Sequence, residues 1–259
     1  MAKIAVRQLP EIPAEPAVVL SDERPSRGVL TRRAFADSAP IQLRMHIMPG
    51  DAMIRWENSA RGHLAYIWSG SVRAGARKLG AGSVLLIEHR ASAEIKAEKE
   101  GAEILVFNVN PDSEPVPERA GGRVHVLSAG QEPRVERMRG NESVGAALFA
   151  DSRCPTCELW LHENSFHAPG YPVHPHYHSE DEVILVTAGE IVLGHRRYGR
   201  GTAIAVEREA VYSFHAGQNG LRFINFRAGR PSYARAGDEH PVDELAFYTE
   251  LARPDYQDV

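Results

Sequence analysis

Between Gly170 and Gly189 the chain reads GYPVHPHYHSEDEVILVTAG, with histidines at 174, 176 and 178 and a glutamate at 182. Side chains on an extended strand repeat with period two, so the three imidazoles share one face if this segment is a strand. A tight connection through Ser179, Glu180 and Asp181 then returns Glu182, at the head of the next strand, beside them. Two neutral imidazoles and a carboxylate suit a first-row divalent metal and leave coordination positions open for chemistry. Five of the twelve histidines fall between His162 and His178, so local enrichment agrees with the spacing.

The elements that must hold this cluster read as short strands. IQLRMHIM (41–48), AMIRW (52–56), HLAYIWS (63–69), SVLLIE (83–88) and EILVFNV (103–109) are divided by Gly, Pro, Asn and Asp. CELWLHE (157–163), EVILVTA (182–188), EIVLG (190–194), TAIAVE (202–207), AVYSFH (210–215) and LRFINF (221–226) follow the same style. Many short strands with evenly spaced turn signals predict an all-β barrel or sandwich. The two halves also match. A shift of 119 residues lays Gly70 on Gly189, Gly82 on Gly201, IWSGSV on VTAGEI and GSVLLIE on GTAIAVE. Self-similarity at a fixed offset is the mark of a duplicated unit.

Pro- and Glu-rich NPDSEPVPERAGG (110–122) between the copies reads as a linker, with the boundary near residue 118. Residues 8–27, rich in proline, read as an extended arm. HPVDELAFYTELARP predicts a short amphipathic helix from Pro241, with Val242, Leu245, Tyr248 and Leu251 on one face.

Composition narrows the function classes. A hydrophobic share of 43% and a charged share of 25% are those of a soluble globular protein. The net charge of −4 speaks against nucleic acid or an anionic membrane as partner, and no apolar run reaches bilayer-spanning length. Two cysteines make no disulfide framework, and the N-terminus lacks a signal-type apolar core, so a cytoplasmic location is expected.

The histidine segment resembles the cupin superfamily. Gly170, His176, His178, Glu182 and Gly189 fit its motif G-x5-H-x-H-x3,4-E-x6-G at every fixed position. The family's second motif, G-x5-P-x-G-x2-H-x3-N, fits poorly: Gly201 begins it, but Glu207, Glu209, Tyr212 and Ala216 replace its Pro, Gly, His and Asn. Under the 119-residue shift His176 falls on Glu57, His178 on Ser59, Glu182 on His63 and Tyr212 on Ala93, so the first copy lacks the paired histidines.

The resemblance implies two tandem jelly-roll barrels, a degenerate one over 28–112 and a metal-binding one over 123–235. An arm (1–27), a linker (113–122) and a C-terminal helix and tail (236–259) complete the chain. It implies one divalent transition metal in the second barrel, Fe(II) before Mn, Ni or Zn, on His176, His178 and Glu182. It also implies a homodimer and a small-molecule substrate. The expected activity is that of an oxygenase acting on an enol, a diketone or an aromatic diol. Isomerisation or decarboxylation of a small keto acid, or metabolite binding without turnover, are the alternatives.

Several side chains have open roles at this stage. Tyr212 and His215 compete for the last place at the metal; positions three apart face opposite sides of a strand, and parity prefers Tyr212 inward. His174 is a candidate for the pocket mouth or for a substitute ligand. Arg222 and Arg227 are candidates for a substrate carboxylate, with a salt bridge as the blander reading. Cys154 and Cys157 form a C-x-x-C unit that reads as packed thiols; a zinc site completed by His162 or His167 is the functional rival.

Overall fold

The computed structural model describes residues 4–58, 60–110, 119–139, 142–151 and 153–259. Ser59 and positions 113–118 of the expected linker lie outside the described residues. The described chain is almost wholly antiparallel β, and its contacts divide it into two units. The N-terminal unit comprises Glu11–Glu132, Cys154–Glu158 and Pro254–Val259; the C-terminal unit comprises Met1–Pro10, Pro133–Arg153 and Leu159–Arg253. Each is built on an eleven-stranded sheet. No helix among the described residues is long and apolar enough to cross a membrane.

The duplication is visible strand by strand. In the N-terminal unit His63–Ala74 lies between Ala93–Val109 and Val84–Ile87. In the C-terminal unit Glu182–Leu193 lies between Tyr212–Arg227 and Thr202–Val206. The first residues of the two central strands, and of their long partners, stand the same 119 positions apart as the glycines. Each sheet encloses its own apolar core, around Trp56, Ile67, Val72 and Ile104 in one and Ile184, Val186, Phe214 and Phe223 in the other.

Where the sequence suggests pairs of short strands, the chain forms single long ones. Gly189 does not end a strand; it sits within Glu182–Leu193, where the register slips between Gly189 and Ile191. Its φ is +68°, and a Cβ there would lie 2.2 Å from the Gly220 carbonyl oxygen. Gly70 has the same conformation (φ +70°) and the same 2.2 Å approach, to the Gly101 oxygen. A glycine bulge bends the strand at both positions. Gly189→Ala is expected to lower the denaturation midpoint through about 1–3 kcal/mol of backbone strain, before the clash is counted. Gly194→Ala, at positive φ but with no heavy atom within 4 Å of the added Cβ, isolates the backbone part for comparison.

The ends of the chain differ from the expected arm and helix. Ile4–Gln8 is a strand paired with Thr202–Val206, and Leu9 behind it is fully buried, so the start of the chain belongs to the C-terminal sheet. Val124–Leu127 pairs with Val84–Ile87, which moves the boundary from about 118 to Glu132. The expected C-terminal helix shortens to a 3₁₀ turn, Glu244–Tyr248, capped by the Asp243 carboxylate, which accepts from the Leu245 amide. Val242 is exposed and pairs as a strand instead, while Tyr248 and Leu251 pack on Trp160, Ala146 and Leu148. Gln257–Asp258 returns to the N-terminal sheet beside Val124–Leu127.

Candidate functional site

The histidine strand spans Pro172–His178 and pairs with the start of Tyr212–Arg227 and with Ser232–Arg235. A register irregularity between Val173 and His176 breaks the alternation, so His176 and His178 are buried while His174 is exposed. His174 nevertheless lines the cavity, as expected of a pocket residue, and its carbonyl accepts a 2.8 Å hydrogen bond from His176 Nδ1. This bond fixes the His176 tautomer and leaves Nε2 as the lone-pair nitrogen. Burial pushes the His176 pKa down, against the favourable backbone contact, and so maintains the neutral ring. Three rings surround it: His178 edge-on at 5.1 Å, Tyr212 tilted at 4.3 Å and Tyr233 stacked at 5.3 Å between centroids.

Glu182 opens the next strand and is buried. Its register partner is Arg227, at the far end of Tyr212–Arg227. Glu182 Oε2 accepts from Arg227 Nη2 at 2.6 Å and from Asn225 Nδ2 at 2.7 Å. Arg227 Nη1 donates to Glu244 Oε2 at 2.6 Å, and His178 Nδ1 lies 3.1 Å from the same oxygen. Burial alone raises the Glu182 pKa, but Arg227, His178 and the Tyr212 hydroxyl reverse it and bring it down to about 2. Glu244 is likewise held far below the carboxylate range by Arg227 and His178, against burial. The tyrosine shifts the other way: burial, then the Glu182 charge, raises the Tyr212 pKa well above its ordinary value, so its phenol keeps its proton.

Strand parity separates Tyr212 from His215, and Arg227 from Arg222. Tyr212 is buried and lines the cavity, whereas His215 is exposed on the opposite face, across from Pro172 and Val192, and is no ligand candidate. Arg222 points outward too, its Nε 3.8 Å from Glu163, so it is not a substrate-pocket residue. Arg227, five residues on, is the inward arginine. Glu244, Asn225 and Tyr233 are site residues that the sequence reading misses. Asn225 and Arg227 carry a weak signal, as polar residues alternating with Phe226 in the apolar run that starts at Phe223. Glu244 carries none.

His176, His178, Tyr212, Asn225, Arg227, Tyr233 and Glu244 line a cavity of about 720 Å³ together with Phe166, Phe214 and Phe223, and Glu182 is buried next to His178 and Asn225 without lining it. The exposed guanidinium of Arg235 stands on its edge. The donor set fits a divalent ion. His176 Nε2 has a fixed lone pair, His178 Nε2 lies 3.9 Å from Glu182, and Glu182 Oε1 is buried without a hydrogen-bond partner. Oε2, by contrast, is occupied by Arg227 and Asn225, which orient the carboxylate as outer contacts orient metal ligands. The three donors are not drawn within 4.8 Å of one another, a spacing that among the described residues only Glu88, Cys154 and Cys157 reach. In the N-terminal unit, Glu57 is half exposed and paired with Arg24, and His63 is bonded to Asp22 at 3.1 Å; no equivalent cluster forms from them.

One neighbour of the site predicts an acid response. His162 is fully buried, accepts from Trp160 Nε1 at 2.7 Å through Nδ1, and has its pKa pushed from 6.5 to about 3 by burial. Because the folded value lies below the unfolded one, its contribution is complete above pH 6.5 and declines as pH falls toward 3. Denaturant midpoints measured from pH 7 to 5 should fall in the wild type. His162→Gln, which keeps an acceptor for Trp160, should flatten that slope; an unchanged slope would contradict the assignment.

No family model matches the sequence, and no curated protein matches it. Solved structures do. A "putative dioxygenase" from Nostoc punctiforme superposes with TM-score 0.67 at 11% identity, covering 93% of this chain and 86% of that one. The protein YlbA of E. coli gives 0.63 at 14% identity, over 86% and 90%. A variant of Bacillus subtilis oxalate decarboxylase OxdC gives 0.59 at 13% identity, over 95% and 81%. At these identities the likeness concerns the fold. By that likeness, and by the strand order that places His176, His178 and Glu182 together, the chain has the cupin fold.

Proposed function

We propose that the C-terminal unit is a metal-dependent enzyme site, with oxygenation of a small enol, diketone or aromatic diol as its reaction. The observation that carries this is the meeting of His176 and His178, which line the cavity, with the buried Glu182, whose Oε1 has no hydrogen-bond partner and whose Oε2 lies 3.9 Å from His178 Nε2. These three residues would hold the ion, with Fe(II) favoured over Mn, Ni or Zn. The ion would supply a Lewis acid and a redox centre for the oxygenation.

The chain's own groups do the rest. Tyr212 holds its proton at Oη beside the Glu182 charge and donates a hydrogen bond to a substrate oxygen when one is bound. Arg227 and Asn225 keep Glu182 ionised and pointed. Phe166, Phe214 and Phe223 exclude water from one wall, and Arg235 draws an anionic or enolic substrate to the entrance. The Arg235 charge also favours a second reading, isomerisation or decarboxylation of a small keto acid. A homodimer, proposed from the same fold, is checked by sedimentation.

Oxygen consumption by Fe(II)-loaded protein with a panel of catechols and β-diketones tests the reaction. Uptake that needs Fe(II) and stops in His176→Ala supports the oxygenase. Substrate loss without oxygen uptake selects the isomerase or decarboxylase, and binding without loss reduces the site to a metabolite receptor.

A further inference from the structure

A second set of ligand-type side chains, none of them lining the cavity above, meets inside the N-terminal unit. Cys154 and Cys157 come from the short segment Cys154–Glu158 that belongs to that unit. Glu88 follows the strand Val84–Ile87, and His125 stands on the neighbouring strand Val124–Leu127, opposite Leu86. All four side chains are buried, at 3% exposure or less. Donor atoms of Glu88, Cys154 and Cys157 lie within 4.8 Å of one another. Glu88 Oε1 is 2.6 Å from His125 Nε2 and 3.8 Å from Cys154 Sγ. Neither cysteine is in a disulfide.

The surroundings hold this set in place. Glu88 Oε2 accepts from the Arg123 amide at 3.0 Å, while Thr156 Oγ1, inside the C-P-T-C loop, donates to Oε1. The loop backbone is anchored as well: the Gly121 amide donates to the Thr156 carbonyl, and Arg119 Nη1 to the Cys157 carbonyl at 3.1 Å. The His125 ring packs on Tyr256 at 4.9 Å. Three independent stretches of chain therefore converge with two sulfurs, an imidazole and a carboxylate, far from solvent. Buried ionisable groups gathered in this way are paired or hold a metal. Two thiolates at C-x₂-C spacing with a nitrogen and an oxygen donor make a closed, four-ligand set suited to zinc, with Zn–S bonds of about 2.3 Å. The other metals proposed for the cavity prefer harder donors.

We propose that Cys154, Cys157, His125 and Glu88 bind a structural zinc ion, separate from the cavity of the C-terminal unit. The ion clips the C-P-T-C segment to the strands that carry Glu88 and His125. This site replaces the His162 or His167 completion that spacing alone suggests: His162 is committed to Trp160, and His167 lies exposed, 3.4 Å from Glu136.

The test uses the full chain, reduced, stripped of metal and titrated anaerobically with Co(II). A thiolate site gives a near-ultraviolet sulfur-to-cobalt charge-transfer band, which a histidine–carboxylate site cannot give. The band should saturate at one cobalt per chain when the cavity donor His176 is replaced by Ala, weaken in Cys154→Ser or Cys157→Ser, and disappear when both cysteines are replaced. It should persist in His176→Ala, and in His125→Ala it should require at least about tenfold more cobalt. Zinc should displace the band and slow modification of both thiols in the wild type, a readout that does not depend on any variant folding. Absence of the band with thiols that react equally fast with and without zinc would overturn the proposal, as would a band of undiminished intensity after loss of one cysteine or any band after loss of both. Either result leaves the cavity reading untouched, because that reading concerns only the metal lost in His176→Ala.

Discussion

Arg227→Met is expected to destabilise the C-terminal unit by about 3–5 kcal/mol, the usual cost of removing one partner from a buried ion pair. Arg227 is 1% exposed and donates at 2.6 Å to both Glu182 and Glu244. Without it two carboxylates remain buried beside one another. Both must then rise in pKa, since burial pushes them up and Arg227 is the largest opposing influence on each. The sign of the pH dependence follows. In the wild type the Glu182 contribution is complete above pH 4.5 and is lost as pH falls toward about 2. The variant lacks that contribution, so the two denaturation midpoints should converge as the pH drops through 4. Arg227→Met combined with Glu182→Gln and Glu244→Gln should regain much of the loss, because no buried charge is then left uncompensated. Equal midpoints for wild type and Arg227→Met at pH 7 would mean that the network does not hold the strand ends together.

His176→Ala is expected to abolish metal retention and turnover while leaving the fold in place. His176 is buried, but its bond is to a backbone carbonyl and its contacts are ring faces, with no buried counter-charge stranded by its removal. A truncation of this kind costs about 1–3 kcal/mol of stability. Metal content measured after gel filtration in Fe(II)- or Mn-containing buffer should fall from one cavity-bound equivalent to none, with cysteine-bound zinc counted separately. Asn225→Ala should act more gently, since it removes an outer contact to Glu182 and not a donor; losses of about 10–100-fold in metal affinity are typical of such changes. If His176→Ala keeps its metal, the donor set is misassigned.

How much of this was readable beforehand depended on what kind of information each feature carries. The duplication was legible because Gly70 and Gly189 perform the same backbone task, a bulge with a carbonyl at 2.2 Å from the missing Cβ. Only glycine meets that demand, so the spacing survives where the rest of the sequence diverges. Periodicity could not show that these glycines bend strands instead of ending them, since a turn and a bulge use the same residue. The histidine–glutamate cluster was legible because alternation and one tight connection suffice to bring it together. Parity likewise separated Tyr212 from His215; applied to Arg222 and Arg227, it would have turned one of them outward as the sheet does.

Other parts depended on distance in sequence. Glu244 reaches Arg227 and His178 from a 3₁₀ turn whose position depends on the pairing of Ser232 and Tyr233 with Asp243 and Val242. Nothing local encodes that approach. The same holds for His125 and Glu88, which meet only because Val124–Leu127 pairs with Val84–Ile87, and which a reading centred on C-x-x-C and its nearest histidines passes over. The expected C-terminal helix failed for a different reason. Its apolar spacing was right for Tyr248 and Leu251, but Val242 pairs with Tyr233 as a strand, and the turn that the Asp243 cap starts runs only from Glu244 to Tyr248.

A divalent ion is expected at one place in the C-terminal unit, between His176, His178 and Glu182. Anomalous diffraction from crystals loaded with manganese locates it directly. The expected result is a single strong peak in the cavity, within bonding distance of His176 Nε2, His178 Nε2 and a Glu182 oxygen, with Tyr212 beside it and His215 far away. A cavity without a peak, or a peak bound by other side chains while Glu182 stays wholly engaged by Arg227 and Asn225, would contradict it.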